Sequence, residues 1–344
     1  MSVPLFVAFM LVVPLIGPSI TWNLLPMSLS VFPSAGRLLL ASWLLSVAAS
    51  SVSQAEDVLT DPSDRETYAW LVQRAGAEPE THYKRGEVEW LGFKGESKYT
   101  CGLFVDDQGH VIKAMFNKQA IDDEELPKLA GFKHLKHVNC QHNFGMGKGG
   151  PGPRKGENPL SGAGWIALKD HPIEYMRLAG SPFDGDGLRA VAQIRALKTL
   201  NVFHTAVTDE DFVALEGHPN LEEVIVGPMW DDKITNQTLQ HLAKIPNLKR
   251  FKVVETFLSY EDGLEHLAAL GDQIEEIDLG NTVVPQEDLE RLRTELPGAK
   301  IEHKPVEEIG QLIVENWKGA DRKLRRWAPT NVIDAYVAEA EKDR

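Results

Sequence analysis

Hydrophobic residues recur at fixed intervals along most of this chain. Four segments share apolar residues at relative positions 1, 4, 6, 11 and 16, namely 111–126, 173–188, 197–212 and 274–289. Three further segments keep positions 1, 4 and 6 of this pattern, and they start at Leu135, Leu221 and Leu248. The seven starts are therefore 24, 38, 24, 24, 27 and 26 residues apart. A recurrence at this interval predicts an array of stacked repeats.

Within each unit the pattern predicts a short strand, a turn and a helix. Positions 4 and 6 share one face of the strand, because side chains alternate along an extended chain. Acidic residues such as Asp122 and Asp209 then supply the capping chemistry of a helix start. Position 9, where the turn needs a small or polar side chain, holds Gln119, Asn143, Ser181, Thr205, Thr256 and Thr282. A single unit cannot cover its own apolar faces, so the units are expected to stack as a solenoid.

This arrangement resembles the leucine-rich repeat (LRR) family. Residues 197–215, LKTLNVFHTAVTDEDFVAL, follow the pattern LxxLxLxxTxVTDxxLxxL of its short bacterial form, in which Thr replaces the usual Asn at position 9. The resemblance covers 111–302 and implies an α/β solenoid, a horseshoe of seven repeats. The fifth unit departs from the pattern, because Met229 occupies position 9 there. The resemblance is specific for the fold and leaves the function open, since such folds host many roles.

The segments on either side of the repeats are predicted to cap the array. The N-terminal cap is expected over 56–110, with a helix over 61–75 and two strands within 87–105. The C-terminal helical cap is expected over 303–344, with helices over 307–317 and 321–342. Its predicted apolar anchors are Trp317, Trp327 and Tyr336.

An insertion over 144–159 interrupts the second repeat. Its glycines Gly145, Gly147 and Gly150 have the spacing of a dinucleotide fingerprint, but Pro151 follows where that fingerprint requires a helix to begin. The insertion is therefore predicted to be a surface loop, with partner contact as the alternative.

Residues 1–55 have the composition of a signal or targeting segment. They contain no Asp or Glu and one basic residue, Arg37, which precedes an apolar run over 38–50. Small residues end the segment, so cleavage near Ala55 and a secreted or periplasmic (cell-envelope) location are expected. A retained membrane anchor is the alternative, and Met27 is a second candidate for the start of translation.

The charge balance and the cysteine count narrow the function classes. Lys and Arg number 36 against 50 Asp and Glu, so the formal net charge is −14. Such a surface repels a phosphate backbone, and a nucleic-acid partner is not expected. Only 2 Cys are present, which excludes a disulfide-dense scaffold and a four-cysteine zinc module. In an oxidising compartment, Cys101 and Cys140 are compatible with a disulfide or with two buried thiols.

The residues that could form a metal site or a catalytic site are better explained by structural roles. The segment 134–143 offers four possible metal ligands, which are His134, His137, Cys140 and His142. The repeat register places Cys140 in the core and His137 on the opposite side of the strand, so they do not converge on one ion. The motifs GxSxG and HExxH do not occur. The sequence therefore predicts no catalytic residue, cofactor or metal, and a metal-assisted enzyme at His137 and His142 stays open as an alternative.

The concave side of the predicted sheet is the candidate site. Positions 3, 5 and 7 of successive units are expected there, and they include the aromatic and Arg residues that protein interfaces favour. The predicted contacts are His137, Tyr175, Arg177, Asn201, Phe203, Arg250 and Lys252. The sequence thus predicts a non-catalytic protein that binds a protein or peptide. Recognition of carbohydrate or cell wall is the alternative that the polar and aromatic mixture suggests.

Overall fold

One sheet runs through the repeats of the protein. The computed structural model describes residues 58–75, 78–85, 88–94, 100–117, 121–141, 161–181, 183–228, 234–315 and 330–342. Its strands, in the order of both the sequence and the sheet, are β1 Glu78–Arg85, β2 Val88–Lys94, β3 Thr100–Val105, β4 Val111–Asn117, β5 His137–Gln141, β6 Tyr175–Arg177, β7 Thr199–Asn201, β8 Glu223–Val226, β9 Arg250–Val253, β10 Glu276–Asp278 and β11 Lys300–Glu302. Strands β1 to β4 pair antiparallel, and all pairs from β4 to β11 are parallel.

Helical segments connect the parallel strands and form the second layer. The α-helices are α1 Pro62–Ala75, α2 Gly185–Val191, α3 Gln237–Leu242, α4 Glu265–Ala268, α5 Gln286–Glu295, α6 Val306–Glu315 and α7 Thr330–Glu341. Several crossovers are tighter and shorter, with 3₁₀ helices at Leu126–Gly131, Ala163–Leu168, Asp209–Leu215 and Gly271–Gln273 and a π-helical turn at Tyr260–Leu264. Such short crossovers fit a repeat of 24 residues, which leaves little chain for a full helix.

The hydrophobic residues that recur at fixed intervals in the sequence form the core. In all four complete segments, the residues at positions 1, 4, 6, 11 and 16 are no more than 3% exposed. Position 4 forms one continuous buried row in the parallel register, from Ala114 through Leu200 to Ile277. The parallel strands, the buried rows and the helical return of each unit define the α/β leucine-rich repeat solenoid that the sequence predicts.

The predicted polar position 9 forms a buried ladder. Ser181, Thr205, Thr256 and Thr282 are each no more than 2% exposed. The Thr205 hydroxyl donates to the carbonyl oxygen of Val202 at 2.7 Å, and the Thr282 hydroxyl donates to that of Val253 in the preceding unit at 3.0 Å. These bonds satisfy carbonyl groups that the turn leaves without a strand partner. Met229, the departure in the fifth unit, lies outside the described residues.

One acidic residue acts differently from its predicted role. Asp211 closes a capping box with Thr208 on its own 3₁₀ helix. Asp209, which the sequence assigns to the same helix start, instead accepts hydrogen bonds from the next unit, namely from the Thr235 N–H at 2.8 Å and from the Thr238 hydroxyl. Its carboxylate therefore joins consecutive repeats.

The N-terminal region adds more strands than the sequence predicts. Helix α1 and strands β2 and β3 match the expected elements, whereas β1 was not predicted, since its sequence EPETHYKR is charged and contains Pro79. Buried Asp64 joins α1 to the first repeat, because its Oδ2 atom accepts the Val111 N–H at 2.8 Å. Burial raises the pKa of this carboxyl group.

The two C-terminal helices form a hydrophobic cluster of their own against the last repeats. Its buried members are Phe257, Val283, Ile309, Ile313, Ile333 and Tyr336. The Tyr336 hydroxyl donates to the carbonyl oxygen of Val284 at 2.6 Å and accepts the N–H of the same residue at 3.3 Å. Of the three predicted anchors, Tyr336 is buried, and Trp317 and Trp327 lie outside the described residues.

The two cysteines lie on different strands. Cys101 pairs with Phe116 across β3 and β4, and Phe116 pairs with Cys140 across β4 and β5. Two strand spacings come to about 9.5 Å, beyond the Cα separation of about 7 Å that a disulfide tolerates. Cys140 is accordingly a free, buried thiol, and burial raises its pKa.

Several predictions fall outside the described residues. They concern the targeting segment 1–55, the insertion 144–159 and His142. Within the described part of the chain, every helix is too short or too polar to cross a bilayer.

The register predicts that substitutions at two adjacent residues of β7 change stability by very different amounts. Leu200 is fully buried, so Leu200→Ala should lower the free energy of unfolding by about 2–5 kcal/mol. Thr199→Ala, which truncates a half-buried residue on the other side of the sheet, should change it by less than about 1 kcal/mol. Urea denaturation of both variants measures the difference, and equal losses would contradict the register.

His218 is a buried histidine that favours its neutral form. It is 4% exposed, and its Nδ1 atom accepts the Leu221 N–H at 3.1 Å while Nε2 lies 3.2 Å from the carbonyl oxygen of Ile194. Burial lowers the pKa of His218, and it has the same effect on His171 and His303.

These histidines predict a loss of stability in acid. Below about pH 6.5 the unfolded chain binds protons at histidines that stay neutral in the folded protein, so the free energy of unfolding falls as the pH decreases. Urea denaturation between about pH 7.5 and about pH 5.5 should show this decline, with a smaller slope in His218→Asn. A slope unchanged by that substitution would show that His218 does not contribute.

Candidate binding surface

The side of the sheet that faces away from the core carries two rows of side chains, and we call this side the open face. Its first row, at position 3, is Lys113, His137, Tyr175, Thr199, Glu223, Arg250, Glu276 and Lys300. Its second row, at position 5, is Met115, Asn139, Arg177, Asn201, Ile225, Lys252, Asp278 and Glu302. The register therefore brings six of the seven predicted contact residues to one side of the sheet, and the seventh, Phe203, follows the second row by two residues.

His137 and Tyr175 form an aromatic pair in the first row. Their ring centroids lie 5.6 Å apart with an interplanar angle of 28°, which is a stacked arrangement. Burial lowers the pKa of His137, and the neighbouring Lys113 ammonium lowers it further. These effects favour the neutral imidazole, and the pair is accessible at the surface, since His137 is exposed and Tyr175 half-buried.

Phe203 lies where the strands end, and it is more enclosed than the sequence suggests. Its ring stacks on His204 with centroids 3.5 Å apart. The ring also lies so close to Gly227 that an added Cβ would be 2.4 Å from its Cδ2 atom. His204 in turn holds Glu255 through a 2.8 Å contact between Nε2 and Oε2, and both residues have positive φ angles, of 55° and 59°. Phe203 thus closes a strained turn as well as bordering the open face.

Asn201 also has a structural role. It is 8% exposed, and its Oδ1 atom accepts the Phe203 N–H at 3.1 Å, so its polar group is used within the turn. Arg177, its neighbour in the second row, is half-buried between Asn139 and Asn201. Ile225, which follows Asn201 in the row, is a half-buried apolar residue.

The two other predicted contacts, Arg250 and Lys252, pair with acids. The Arg250 guanidinium lies 3.5 Å from Glu223, and the Lys252 ammonium forms an ion pair with Asp278. Each partner belongs to an adjacent strand, so cross-strand charge pairing stabilises this end of the sheet. These two cations are less available to a partner than their sequence positions alone indicate.

A cavity of about 580 Å³ lies at the C-terminal end of the open face. Its lining carries both charges, with Lys252 and Lys304 opposed by Asp278, Glu302 and Glu308. Sequence reasoning did not find it, because its walls combine three strands, β9 to β11, with α6 and the segment that leads into it. Its mixed charges favour no single class of ligand.

The possible metal ligands do not converge. Cys140 is buried in the core, whereas His137 belongs to the open face, and His142 lies outside the described residues. Among the residues that the structure describes, no group of three or more His, Cys, Asp or Glu side chains is arranged to hold a metal ion.

Comparisons with known proteins return weak structural matches. A leucine-rich repeat protein of Leptospira interrogans is 16% identical over 51% of this chain and 45% of that protein, with a TM-score of 0.29. An internalin of Listeria monocytogenes is 15% identical over 52% of this chain and 65% of that protein, with a TM-score of 0.28. The match thus spans less than two thirds of either structure. No family model matches the chain, and a search of curated proteins finds no significant match.

The fold and the open face define the class of the protein. Strand register and buried rows give it the α/β leucine-rich repeat fold, with an open face lined mostly by half-buried aromatic, apolar and charged residues.

The contact between Phe203 and Gly227 yields a test. Gly227→Ala would place a methyl group against the ring and 3.1 Å from Cγ2 of Val254, so we expect the free energy of unfolding to fall by about 1–3 kcal/mol. The same substitution in a Phe203→Ala background should cost less, since the ring is gone. Urea denaturation of the four proteins gives the coupling, and an equal cost in both backgrounds would exclude the contact as the cause.

Proposed function

We propose that this protein is a non-catalytic binding module that holds a protein or peptide on its open face. The observation that carries the proposal is the group of aromatic and apolar side chains on that face, above all the stack of exposed His137 on half-buried Tyr175, together with half-buried Ile225. Aromatic residues of this kind supply large contact areas at protein interfaces at a small entropic cost. Solenoids present such extended sheets as binding surfaces.

The proposed location is outside the cytoplasm, in the cell envelope or the medium. The support is the composition of residues 1–55, with the small residues that precede Ala55 as the cleavage region. A binding module in that location meets partners from other cells or from the envelope itself.

Carbohydrate or cell-wall recognition is less well supported than protein binding. A sugar needs a flat aromatic ring flanked by free polar groups. Phe203 is stacked on His204, and the nearby Asn201 amide oxygen is occupied by a backbone N–H.

The test is capture of partners by the purified full-length protein from the native envelope or medium fraction, followed by mass spectrometry. We expect a partner that the wild-type protein captures and whose recovery falls at least tenfold with the Tyr175→Ser/Ile225→Ser variant. These two positions are preferable to Phe203, whose removal also disturbs a turn.

The matched control replaces two apolar residues on the helical side with serine. Ile166 and Val213 are 47% and 55% exposed there, and Ile166→Ser/Val213→Ser should retain the partner. Equal capture by all three proteins would place the site elsewhere on the chain. Loss in the control variant alone would move the site to the helical layer and overturn the proposal.

A further inference from the structure

Acidic residues are unevenly distributed over the two rows of the open face. The residues that β4 to β7 contribute to these rows include no Asp or Glu, although the chain has 50 of them. Two of the residues, Lys113 and Arg177, are basic. The residues from β8 to β11 include four acids, Glu223, Glu276, Asp278 and Glu302. One half of the open face is thus free of carboxylates in a protein whose net charge is −14.

The acidic half neutralises itself. Glu223 pairs with Arg250 at 3.5 Å, Asp278 pairs with Lys252, and Glu276 pairs with Lys300 at 3.2 Å. These pairs run between adjacent strands, and they leave little net charge for a partner to recognise. The carboxylate-free half therefore offers the stronger electrostatic contrast with the rest of the molecule.

His137 reports the local potential in that half. The groups around it are Lys113 on β4, Lys136 just before β5, and Glu174 just before β6. Both ammonium groups disfavour the imidazolium form, and Glu174 favours it but is hydrogen-bonded to Lys198 at 2.9 Å. With burial as the largest cause, the balance lowers the pKa of His137. Among the charged neighbours, Lys113 affects this pKa more than Glu174 does.

The same rows continue onto the N-terminal strands. Phe104 of β3 lies opposite Lys113, whose Nζ atom is 4.8 Å from the ring centroid. The backbone register then aligns Trp90 of β2 with Phe104, and Tyr83 of β1 with Trp90. Phe104 thus adds an aromatic side chain next to Lys113 at the N-terminal end of the first row.

We propose that the half of the open face from Phe104 to Tyr175 binds an acidic segment of a partner protein, with Lys113 as its central charge contact. The proposal rests on the proposed function and specifies the partner. A chain segment rich in Asp or Glu complements the carboxylate-free rows, and its own aromatic or apolar residues pack on Phe104 and Tyr175. The acidic surface elsewhere repels the same segment, so binding is confined to this half.

Proton binding follows from the same geometry. An acidic segment above His137 favours the charged imidazolium, so the pKa of His137 rises in the complex. Binding then takes up a proton, and the affinity increases as the pH falls. The affinity also decreases as salt is added, because salt screens the attraction between the acidic segment and Lys113, which is only half-buried.

The experiment uses the full-length protein and a fluorescent probe peptide in which Glu alternates with Ser around one Tyr. Matched peptides carry Gln or Lys in place of each Glu. We expect binding of the Glu peptide by fluorescence anisotropy at low salt, with an affinity at least about tenfold above that of either matched peptide. The His137 ring signals in NMR should titrate at higher pH in the complex.

Charge reversal locates the site. Lys113→Glu should lower the affinity for the Glu peptide by about tenfold or more. Lys169→Glu makes the same change of charge at an exposed position after the 3₁₀ helix Ala163–Leu168, and it should have little effect. His137→Gln should remove most of the pH dependence while the melting temperature stays near that of wild type.

The outcomes separate this inference from the proposed function. Equal binding of the Glu and Gln peptides, or equal losses in Lys113→Glu and Lys169→Glu, would overturn the acidic partner. The acidic protein partner would also be overturned if an anionic polysaccharide such as polygalacturonate bound and the Glu peptide did not. If a captured partner still depends on Tyr175 and Ile225 in those cases, the binding module stands and only its charge preference is wrong.

Discussion

No repeat in this protein can bury its own hydrophobic residues. A strand of three to seven residues and a short helical return have one apolar side each, and only the next unit covers them. The row from Ala114 to Ile277 is therefore part of a single continuous core, to which each unit adds one buried residue. Burial of that row fixes the strand register, because a slip of one residue would expose it. The same register determines which residues lie on the open face, because the strand residues that alternate with the buried row are on the other side of the sheet.

Polar groups reinforce this stacking at the places where the chain turns. The Thr282 hydroxyl and the Asp209 carboxylate both bond across a boundary between units, so they are satisfied only in the stacked array. A buried polar group without its partner costs about 1–3 kcal/mol, which penalises any separation of the units. The ends differ, because the C-terminal helices close the array with a hydrophobic cluster and with Tyr336, which bonds both backbone groups of Val284.

Most of the fold could be predicted from the sequence, because the repeat depends on spacing alone. The intervals around Leu197 and Leu200 predicted the strands, the core and the side of the sheet on which Tyr175 lies. β1 escaped prediction, since its charged sequence lacks alternation and pairing with β2 is what makes it a strand. The candidate site was harder to predict. Ion pairs such as Arg250–Glu223 and the enclosure of Phe203 by Gly227 join residues more than 20 positions apart, and a single sequence gives no signal for them.

The one-to-one register of the parallel strands also bears on how such a protein can change over generations. Tyr175, Thr199 and Glu223 occupy the same position of successive units, each 24 residues after the last. Loss of one such unit would place Tyr175 directly beside Glu223 and leave the row beneath them continuous. The length of the sheet can therefore grow or shrink by duplication and deletion of whole units. A new combination of surface residues arises each time, while the interior needs no redesign.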